Sequence, residues 1–281
     1  MTYVIAEAGS CGDGLLDRML CLIDDAKAVG ANAVKFQWTS NANMMATKRG
    51  TALENGYADV YSQYLQWPIE WHKVFARVCS DIGIDYLCTV YLDEDVSVVA
   101  PYVAHFKVSS FEATDCNFIQ AHKEFVNYKS GHRRRILIST GMCTEWELEL
   151  VSRSCIKPAG LEAHVRFLQC TSSYPAPIDQ LNLSAVRSAG PNWEMRGFSD
   201  HSLPSLTQTG ALAVAAGAEY IEAHLRHSVT ESDNPDRDHA MTKEQFLDYV
   251  DQIRGAEIAI GVARKEPQRC EKIMEQYRVK S

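Results

Sequence analysis

Short apolar runs alternate along the chain with longer stretches in which apolar residues recur at helical spacing. Continuous apolar strands that are followed by helices are typical of a parallel sheet buried on both faces. The runs predicted as strands are Tyr3–Ala8, Ala33–Gln37, Ile84–Thr89, His105–Val108, Arg135–Thr140, His164–Cys170, Met195–Phe198 and Tyr220–His224. The helices predicted to follow them are Leu15–Val29, Ile69–Asp81, Asp95–Tyr102, Asn117–Tyr128, Thr144–Ser154, Leu183–Ala189, Pro204–Ala216 and Lys243–Ile260.

Eight strand–helix units favour a closed (β/α)8 TIM barrel of the α/β class over an open, doubly wound sheet. A doubly wound fold that binds dinucleotides would have G-x-G-x-x-G after its first strand. Here Gly9, Gly12 and Gly14 follow that strand with the spacing G-x-x-G-x-G. We therefore predict a single barrel domain over residues 1–265, followed by a tail or helix at 266–281.

Two polar segments are candidates for covering the barrel. The connection Trp38–Gln66 is long and contains glycine, and Ser228–His239 is rich in charged residues. Connections of this length are often lids or binding loops. We expect one or both to change mobility when ligands bind.

Composition and charge exclude several classes of function. The net charge is −8 and the isoelectric point is about 5.6, which argues against nucleic acid or an anionic membrane as a routine partner. No apolar stretch approaches the roughly 20 residues of a membrane span, and the N-terminus lacks a signal-peptide pattern. Nine cysteines without a CxxC pair predict no disulfide framework and a reducing, cytoplasmic location.

Polar residues stand where each predicted strand ends. In a barrel of this class the functional site is built at the carboxyl ends of the strands, so these side chains should converge. They are Glu7, Lys35, Gln37, Thr89, Lys107, Ser110, Glu112, Ser139, Thr140, Thr171, Ser172, Tyr174, Ser199, Asp200, His201, Glu222 and His224. One such residue at a strand end is unremarkable, but polar residues at all eight ends indicate one convergent site.

The residue types suggest a small anionic substrate and a metal ion. Two lysines surrounded by hydroxyl groups suit a phosphate and a carboxylate. His201 and His224 on adjacent strands could share one divalent metal, leaving positions open for substrate. The structural alternatives are that each histidine is only hydrogen-bonded and that Glu7 simply pairs with Lys35. An unpaired lysine in an apolar strand would be costly to bury.

Seven short motifs stand in the order found in the sialic acid synthase family. They are IAEAG, AVKFQ, FKVSSFE, ISTGM, QCTSSYPAP, GFSDHS and IEAHL. The chain resembles the phosphoenolpyruvate-condensing barrel of that family from about residue 2 to 265. The small C-terminal antifreeze-like domain of that family does not follow, and S-T-P-F-D is replaced by C-T-V-Y-L at residues 88–92.

The resemblance implies roles for individual residues. It implies a metal site at His201 and His224, most often for manganese, with magnesium or cobalt as alternatives. Phosphoenolpyruvate would be held by Lys35, Thr89, Lys107, Ser110, Ser139 and Ser199. Residues near the acceptor sugar or the reacting atoms would be Glu7, Gln37, Ser172, Tyr174, Glu222 and Asp236.

The implied activity is metal-dependent condensation of phosphoenolpyruvate with a sugar aldehyde similar to N-acetylmannosamine, with release of phosphate. A homodimer is also implied. Two alternatives remain: a related synthase with a different or smaller acceptor, and an inactive barrel that binds a metabolite. The histidine pair and both lysines argue against the inactive barrel.

Overall fold

Eight parallel strands close into a barrel in which each strand pairs with its neighbours in sequence, and β1 pairs with β8. The computed structural model describes residues 1–50, 56–126 and 134–279. The strands are β1 (Tyr3–Gly9), β2 (Ala33–Gln37), β3 (Asp85–Thr89), β4 (Phe106–Val108), β5 (Ile136–Ser139), β6 (Val165–Cys170), β7 (Met195–Asp200) and β8 (Tyr220–His224). All eight predicted strands, and the predicted fold, are confirmed.

Helices surround the barrel. They are α1 (Leu16–Ala28), α2 (Ala42–Lys48), α3 (Tyr57–Leu65), α4 (Trp71–Ile82), α5 (Asp93–Val99), α6 (Cys116–Ala121), α7 (Glu145–Val151), α8 (Lys157–Ala159), α9 (Thr209–Ala215) and α10 (Lys243–Ile260). Thr144 and Thr242 start α7 and α10 with capping boxes, in which the threonine and a residue three positions on satisfy each other's backbone N–H groups.

The side-chain alternation of the strands divides the barrel interior into two layers. The lower layer is apolar and consists of Ile5, Ala33, Leu87, Leu137 and Leu168. Because alternate residues of a strand face the same side, the residues two positions further along also point inward. In the first three of these strands they are Glu7, Lys35 and Thr89, all buried. An apolar plug therefore supports a polar layer at the carboxyl ends of the strands.

The long connection Trp38–Gln66 contains two short helices, α2 and α3, which the sequence analysis did not predict. The side chain of Asn41 accepts a hydrogen bond from the backbone of Met44 and so begins α2. Both α2 and α3 bury part of one face in a small cluster formed by Met45, Tyr64, Leu65 and Tyr91. Tertiary packing of this kind stabilises helices that are too short to form alone.

Two of the predicted helices differ in type or in length. The predicted helix Leu183–Ala189 is a 3-10 helix over Leu183–Arg187. The predicted helix Asn117–Tyr128 ends at Ala121, and its last two residues lie outside the described ranges. The tail contains a 3-10 helix over Arg269–Tyr277, and the boundary placed at residue 265 remains a prediction.

The structure contains a single cysteine pair and no wider disulfide framework among the described residues. Cys116 and Cys155 are joined, with their Cα atoms 5.2 Å apart, whereas the other seven cysteines are free. Within the described ranges, no helix combines the length and apolar character that crossing a membrane requires.

Candidate active site

The polar layer lines a cavity of about 320 Å³ at the carboxyl ends of the strands. A larger cleft of about 590 Å³ lies beside Trp193, near the amino ends of β6 and β7, but its charged side chains are exposed or half-buried, whereas those of the polar layer are buried. The predicted site residues that line the cavity are Glu7, Lys35, Gln37, Thr89, Lys107, Ser110, Ser139, Tyr174, Ser199, His201, Glu222, His224 and Asp236. Ser172 adjoins them, since its Oγ lies 2.7 Å from that of Ser110.

Lys35 lies at the centre of one wall and is buried together with its partners. Its Nζ lies 2.7 Å from Glu7 Oε2 and 3.0 Å from Glu222 Oε2, and it donates to Thr89 Oγ1 at 3.0 Å. Both ion pairs are close, but Glu7 Oε2 and Glu222 Oε2 are not aligned to accept a hydrogen bond. Burial lowers the pKa of Lys35 to about 8, with the Glu222 carboxylate opposing that shift.

Lys107 lies on the next wall and points at the same carboxylate. Its Nζ donates to Ser139 Oγ at 2.8 Å and lies 3.6 Å from Glu222 Oε1, which also accepts from Ser199 Oγ at 3.1 Å. Burial acts to raise the pKa of Glu222, but Lys107 and Lys35 outweigh it and hold that pKa well below its ordinary value. Glu222 is therefore ionised, and its negative charge offsets the repulsion between the Lys35 and Lys107 ammonium groups. The space between these groups suits a small anion.

The two predicted metal-binding histidines meet on the opposite wall. The ring centroids of His201 and His224 are 5.5 Å apart. Burial lowers the pKa of His201 to about 4 and that of His224 well below its ordinary value, so both imidazoles are neutral, which is the form that binds metals. His224 Nδ1 is buried without a hydrogen-bond partner, and His201 Nδ1 lies 3.0 Å from the Thr171 carbonyl oxygen. The ring nitrogens of these two histidines are therefore suitable ligands for a divalent cation.

Asp236 reaches the cavity from the segment after β8. Its Oδ2 accepts a hydrogen bond from the Ser10 amide at 2.8 Å, and Asn234 fastens the segment by donating to the Ser10 carbonyl at 2.8 Å. Gly9 has φ +50°, and a Cβ there would lie 2.2 Å from Asp236 Oδ2. The end of β1 must therefore be glycine for Asp236 to take this position.

Gln37 and Tyr174 complete the predicted set at the mouth of the cavity. Gln37 donates from Nε2 to Glu7 Oε1 at 2.9 Å and accepts from the Tyr91 hydroxyl. Tyr174 is half-exposed, and its ring lies 4.3 Å from that of His201, measured between centroids. Burial also raises the pKa of Tyr174, so its hydroxyl is a neutral donor beside the histidines.

Sequence reasoning missed Arg49, which α2 delivers to the mouth. Its guanidinium donates to both carboxylate oxygens of Glu112, at 2.9 and 3.1 Å, and it lies over the rings of Tyr91 and Phe111 at 4.6 and 4.5 Å. The sequence marks Arg49 only as part of a polar loop, because its ion-pair partner Glu112 is more than 60 residues away. No local signal could have identified it.

Comparisons with known proteins agree with this geometry. Residues 22–265 match the NeuB family. The chain is also 30% identical over 280 residues to the N,N'-diacetyllegionaminic acid synthase of Legionella pneumophila, covering 94% of this chain and 75% of that relative. The chain belongs to the NeuB family. This membership confirms the resemblance inferred from the seven motifs.

Other NeuB relatives differ in the sugar acid that their names specify. The pseudaminic acid synthase of Campylobacter jejuni is 30% identical over 270 residues, which cover 92% of this chain and 75% of that one. The human N-acetylneuraminate-9-phosphate synthase is 26% identical over 281 residues, covering 96% and 74%. A solved sialic acid synthetase from Leptospira borgpetersenii has a TM-score of 0.84 at 23% identity, covering 98% and 90%, and supports the fold.

Proposed function

We propose that this protein condenses phosphoenolpyruvate with a sugar aldehyde similar to N-acetylmannosamine, giving a 2-keto-3-deoxy sugar acid and phosphate. The observation that carries the proposal is one cavity with two buried lysines beside hydroxyl groups on one wall and two neutral histidines on the other. The first wall suits a doubly anionic substrate, and the second suits a metal that binds an aldehyde. Membership of a family of sugar acid synthases supports this pairing of an anionic substrate with an aldehyde.

The chain's own residues would divide the work as follows. Lys35 and Lys107 hold the carboxylate and phosphate of phosphoenolpyruvate, while Thr89, Ser110, Ser139 and Ser199 donate directional hydrogen bonds. A divalent cation held by His201 and His224, with manganese the expected ion, would supply Lewis-acid polarisation for an aldehyde oxygen. C3 of phosphoenolpyruvate then bonds to the aldehyde carbon, water adds at C2, and phosphate leaves by cleavage of the C2–O bond.

Acid–base steps are assigned to carboxylates and to Tyr174. The attack of C3 leaves an alkoxide that must gain a proton, and the water that adds at C2 must lose one. Glu7 and Glu222 line the same cavity and, as carboxylates, would accept the proton of the water, whereas the neutral hydroxyl of Tyr174 would donate a proton to the alkoxide. Ser172, Gln37 and Asp236 would contact the acceptor sugar near the mouth.

Phosphate release tests the proposed function directly. The purified protein is freed of metal, reloaded with Mn²⁺, and assayed with phosphoenolpyruvate and a panel of aldehydes that includes N-acetylmannosamine, its 6-phosphate and smaller sugars. We expect phosphate release that requires both metal and one acceptor. Release with only a different or smaller aldehyde would support the related synthase, and binding of phosphoenolpyruvate without release under any condition would favour the inactive barrel.

Two further expectations belong to this proposal. A homodimer should be visible by sedimentation at working concentration, and a monomer there would contradict it. Localisation in the cytoplasm follows from the proposed pathway chemistry, because phosphoenolpyruvate is a central metabolite of that compartment.

The α2 segment should act as a cover for the acceptor. Arg49→Met removes the paired guanidinium and leaves Glu112 buried without its partner, which is destabilising locally. A hydrogen bond to a charged group contributes about 1.5–3 kcal/mol, and losing the Arg49–Glu112 pair should release α2 from the mouth. We therefore expect the acceptor KM to rise roughly tenfold or more. The phosphoenolpyruvate KM should change less. Steady-state kinetics with each substrate varied in turn would measure both values.

Arg77→Met is the matched control, since Arg77 is on α4 and its side chain is 84% exposed. Hydrogen exchange adds a second measurement, in which amides of α2 and α3 should gain protection when phosphoenolpyruvate and acceptor bind. Unchanged exchange in both helices, together with an unchanged acceptor KM in the Arg49 variant, would contradict the cover.

A further inference from the structure

A third histidine stands beside the two predicted metal ligands. The His239 ring centroid lies 4.5 Å from that of His224 and 6.5 Å from that of His201. Potential ligand atoms of His224, Asp236 and His239 all lie within 4.8 Å of one another. The site therefore contains three imidazoles and one carboxylate, rather than the two imidazoles that the motifs identify.

His239 lacks the partner that a buried structural histidine would have. The side chain is almost fully buried, and Nε2 makes no hydrogen bond. The nearest acceptor, Asp236 Oδ1, is 3.6 Å from Nε2, which is too long for a hydrogen bond. His224 Nδ1, on the neighbouring ring, is also without a partner. Buried polar atoms are normally satisfied, so two unpartnered nitrogens on adjacent rings indicate a missing ligand between them.

Asp236 lies beside the same two nitrogens. The Ser10 amide fixes one oxygen of Asp236, and the other oxygen lies 3.6 Å from His239 Nε2, which is too far to satisfy that nitrogen. His239 Nε2 and His224 Nδ1 therefore remain the two nitrogens available to an ion, with a carboxylate oxygen next to them.

We propose that His239 is a third protein ligand of the metal, binding it through Nε2 together with His201 and His224, with the Asp236 carboxylate beside the ion. This inference rests on the proposed function for the presence of a metal at this wall. Three imidazole nitrogens favour a transition metal over Mg²⁺, which prefers an oxygen shell with several waters, and among transition metals they favour Co²⁺ or Zn²⁺ over Mn²⁺. The metal should therefore bind more tightly than two histidines allow, and magnesium should compete poorly.

Counting the nitrogens bound to Mn²⁺ tests the inference. The unmodified protein is stripped of metal, loaded with one equivalent of Mn²⁺ alone, and examined by pulsed electron paramagnetic resonance. Three coordinated imidazoles are expected in the unmodified protein and two in His239→Leu. Calorimetry should show the Kd for Mn²⁺ raised by at least about tenfold in that variant. His227→Leu, three residues beyond His224, is the control and should retain three imidazoles and the original Kd.

Two coordinated imidazoles in the unmodified protein, or no binding of Mn²⁺ to it, would overturn the inference. An unchanged Kd in His239→Leu would do the same. If that variant does not fold, as judged by circular dichroism, the count on the unmodified protein decides. Phosphate release from the same samples separates the two proposals: three imidazoles without release contradict only the function, and release with two imidazoles contradicts only the role of His239.

Discussion

Lys107→Met should lower kcat/KM for phosphoenolpyruvate by roughly 10- to 100-fold. A hydrogen bond to a charged group contributes about 1.5–3 kcal/mol, and every 1.4 kcal/mol corresponds to about a factor of ten. Lys107 is nearly fully buried and points at the cavity from β4, so no solvent cation can replace it. Initial rates with phosphoenolpyruvate varied at saturating acceptor would measure the loss. Lys123→Met is the control, because that side chain is exposed.

Lys107→Met is a cleaner test than Lys35→Met. Removing Lys107 leaves Glu222 paired with Lys35, whereas removing Lys35 leaves Glu7 buried without its only ion-pair partner among the described residues. An uncompensated buried charge costs about 3–5 kcal/mol. Lys35→Met should therefore lower the stability of the fold as well as anion binding, and Lys107→Met mainly the latter. Normal phosphoenolpyruvate kinetics in both variants would mean that the anion site lies elsewhere.

The lysines also predict a dependence on pH. Burial lowers the pKa of Lys35 to about 8, so its ammonium loses its proton as the pH rises through that value. Since kcat/KM reports the ionisation of the free enzyme, kcat/KM for phosphoenolpyruvate should decline above about pH 8. Lys107→Met should keep this decline but move it to higher pH, because the Lys107 charge contributes to lowering the pKa of Lys35, and Lys35→Met should remove it. A profile that stays level well above pH 8 in the unmodified protein would contradict the role of Lys35.

The sequence predicts this barrel well because its strands carry two signals at once. Alternation within a strand determines that Ile5 and Glu7 face inward, and the end of the strand determines that Glu7 is the one at the mouth. The same reasoning applies to Ala33 and Lys35. Polar residues at strand ends could therefore be assigned to one site without knowing any contact, since closure of the barrel brings all eight ends together.

Two residues outside the strands, Arg49 and His239, were missed for a physical reason. Arg49 acts through Glu112, and His239 acts beside His224; in each case the neighbour is distant in sequence and the local pattern is an ordinary polar segment. The helices α2 and α3 were missed because they are short and stabilised by contact with Tyr91 on the β3 side of the mouth. Information of this kind exists only in the tertiary structure.

The resemblance and the residue pattern contributed different parts of the site. Spacing alone placed His201 and His224 near each other, but it left open whether each was merely hydrogen-bonded. The structure gives His201 a backbone partner at Nδ1 and gives His224 Nδ1 none. One histidine therefore has its ring orientation fixed by the chain, and the other still lacks a partner at that nitrogen.

His224→Ala should nearly abolish turnover and remove bound metal. Lewis-acid polarisation contributes several kcal/mol to the transition state, which corresponds to roughly a thousandfold in rate. His201→Ala should have the same effect, since two neutral imidazoles on adjacent strands must both reach the ion. Metal content by elemental analysis and phosphate release would be measured on the same preparations. His227→Ala is the control and should retain both metal and activity.

Removing the metal with a chelator tests the same site without a substitution. Activity should disappear on exhaustive chelation and return when Mn²⁺ is added back, with phosphoenolpyruvate binding itself retained because the lysines do not depend on the ion. Loss of structure in the variants would be recognised by thermal unfolding, and the chelation result would then stand alone. A protein that remains fully active without metal would contradict the metal site, and with it the assignment of the aldehyde to the histidine wall.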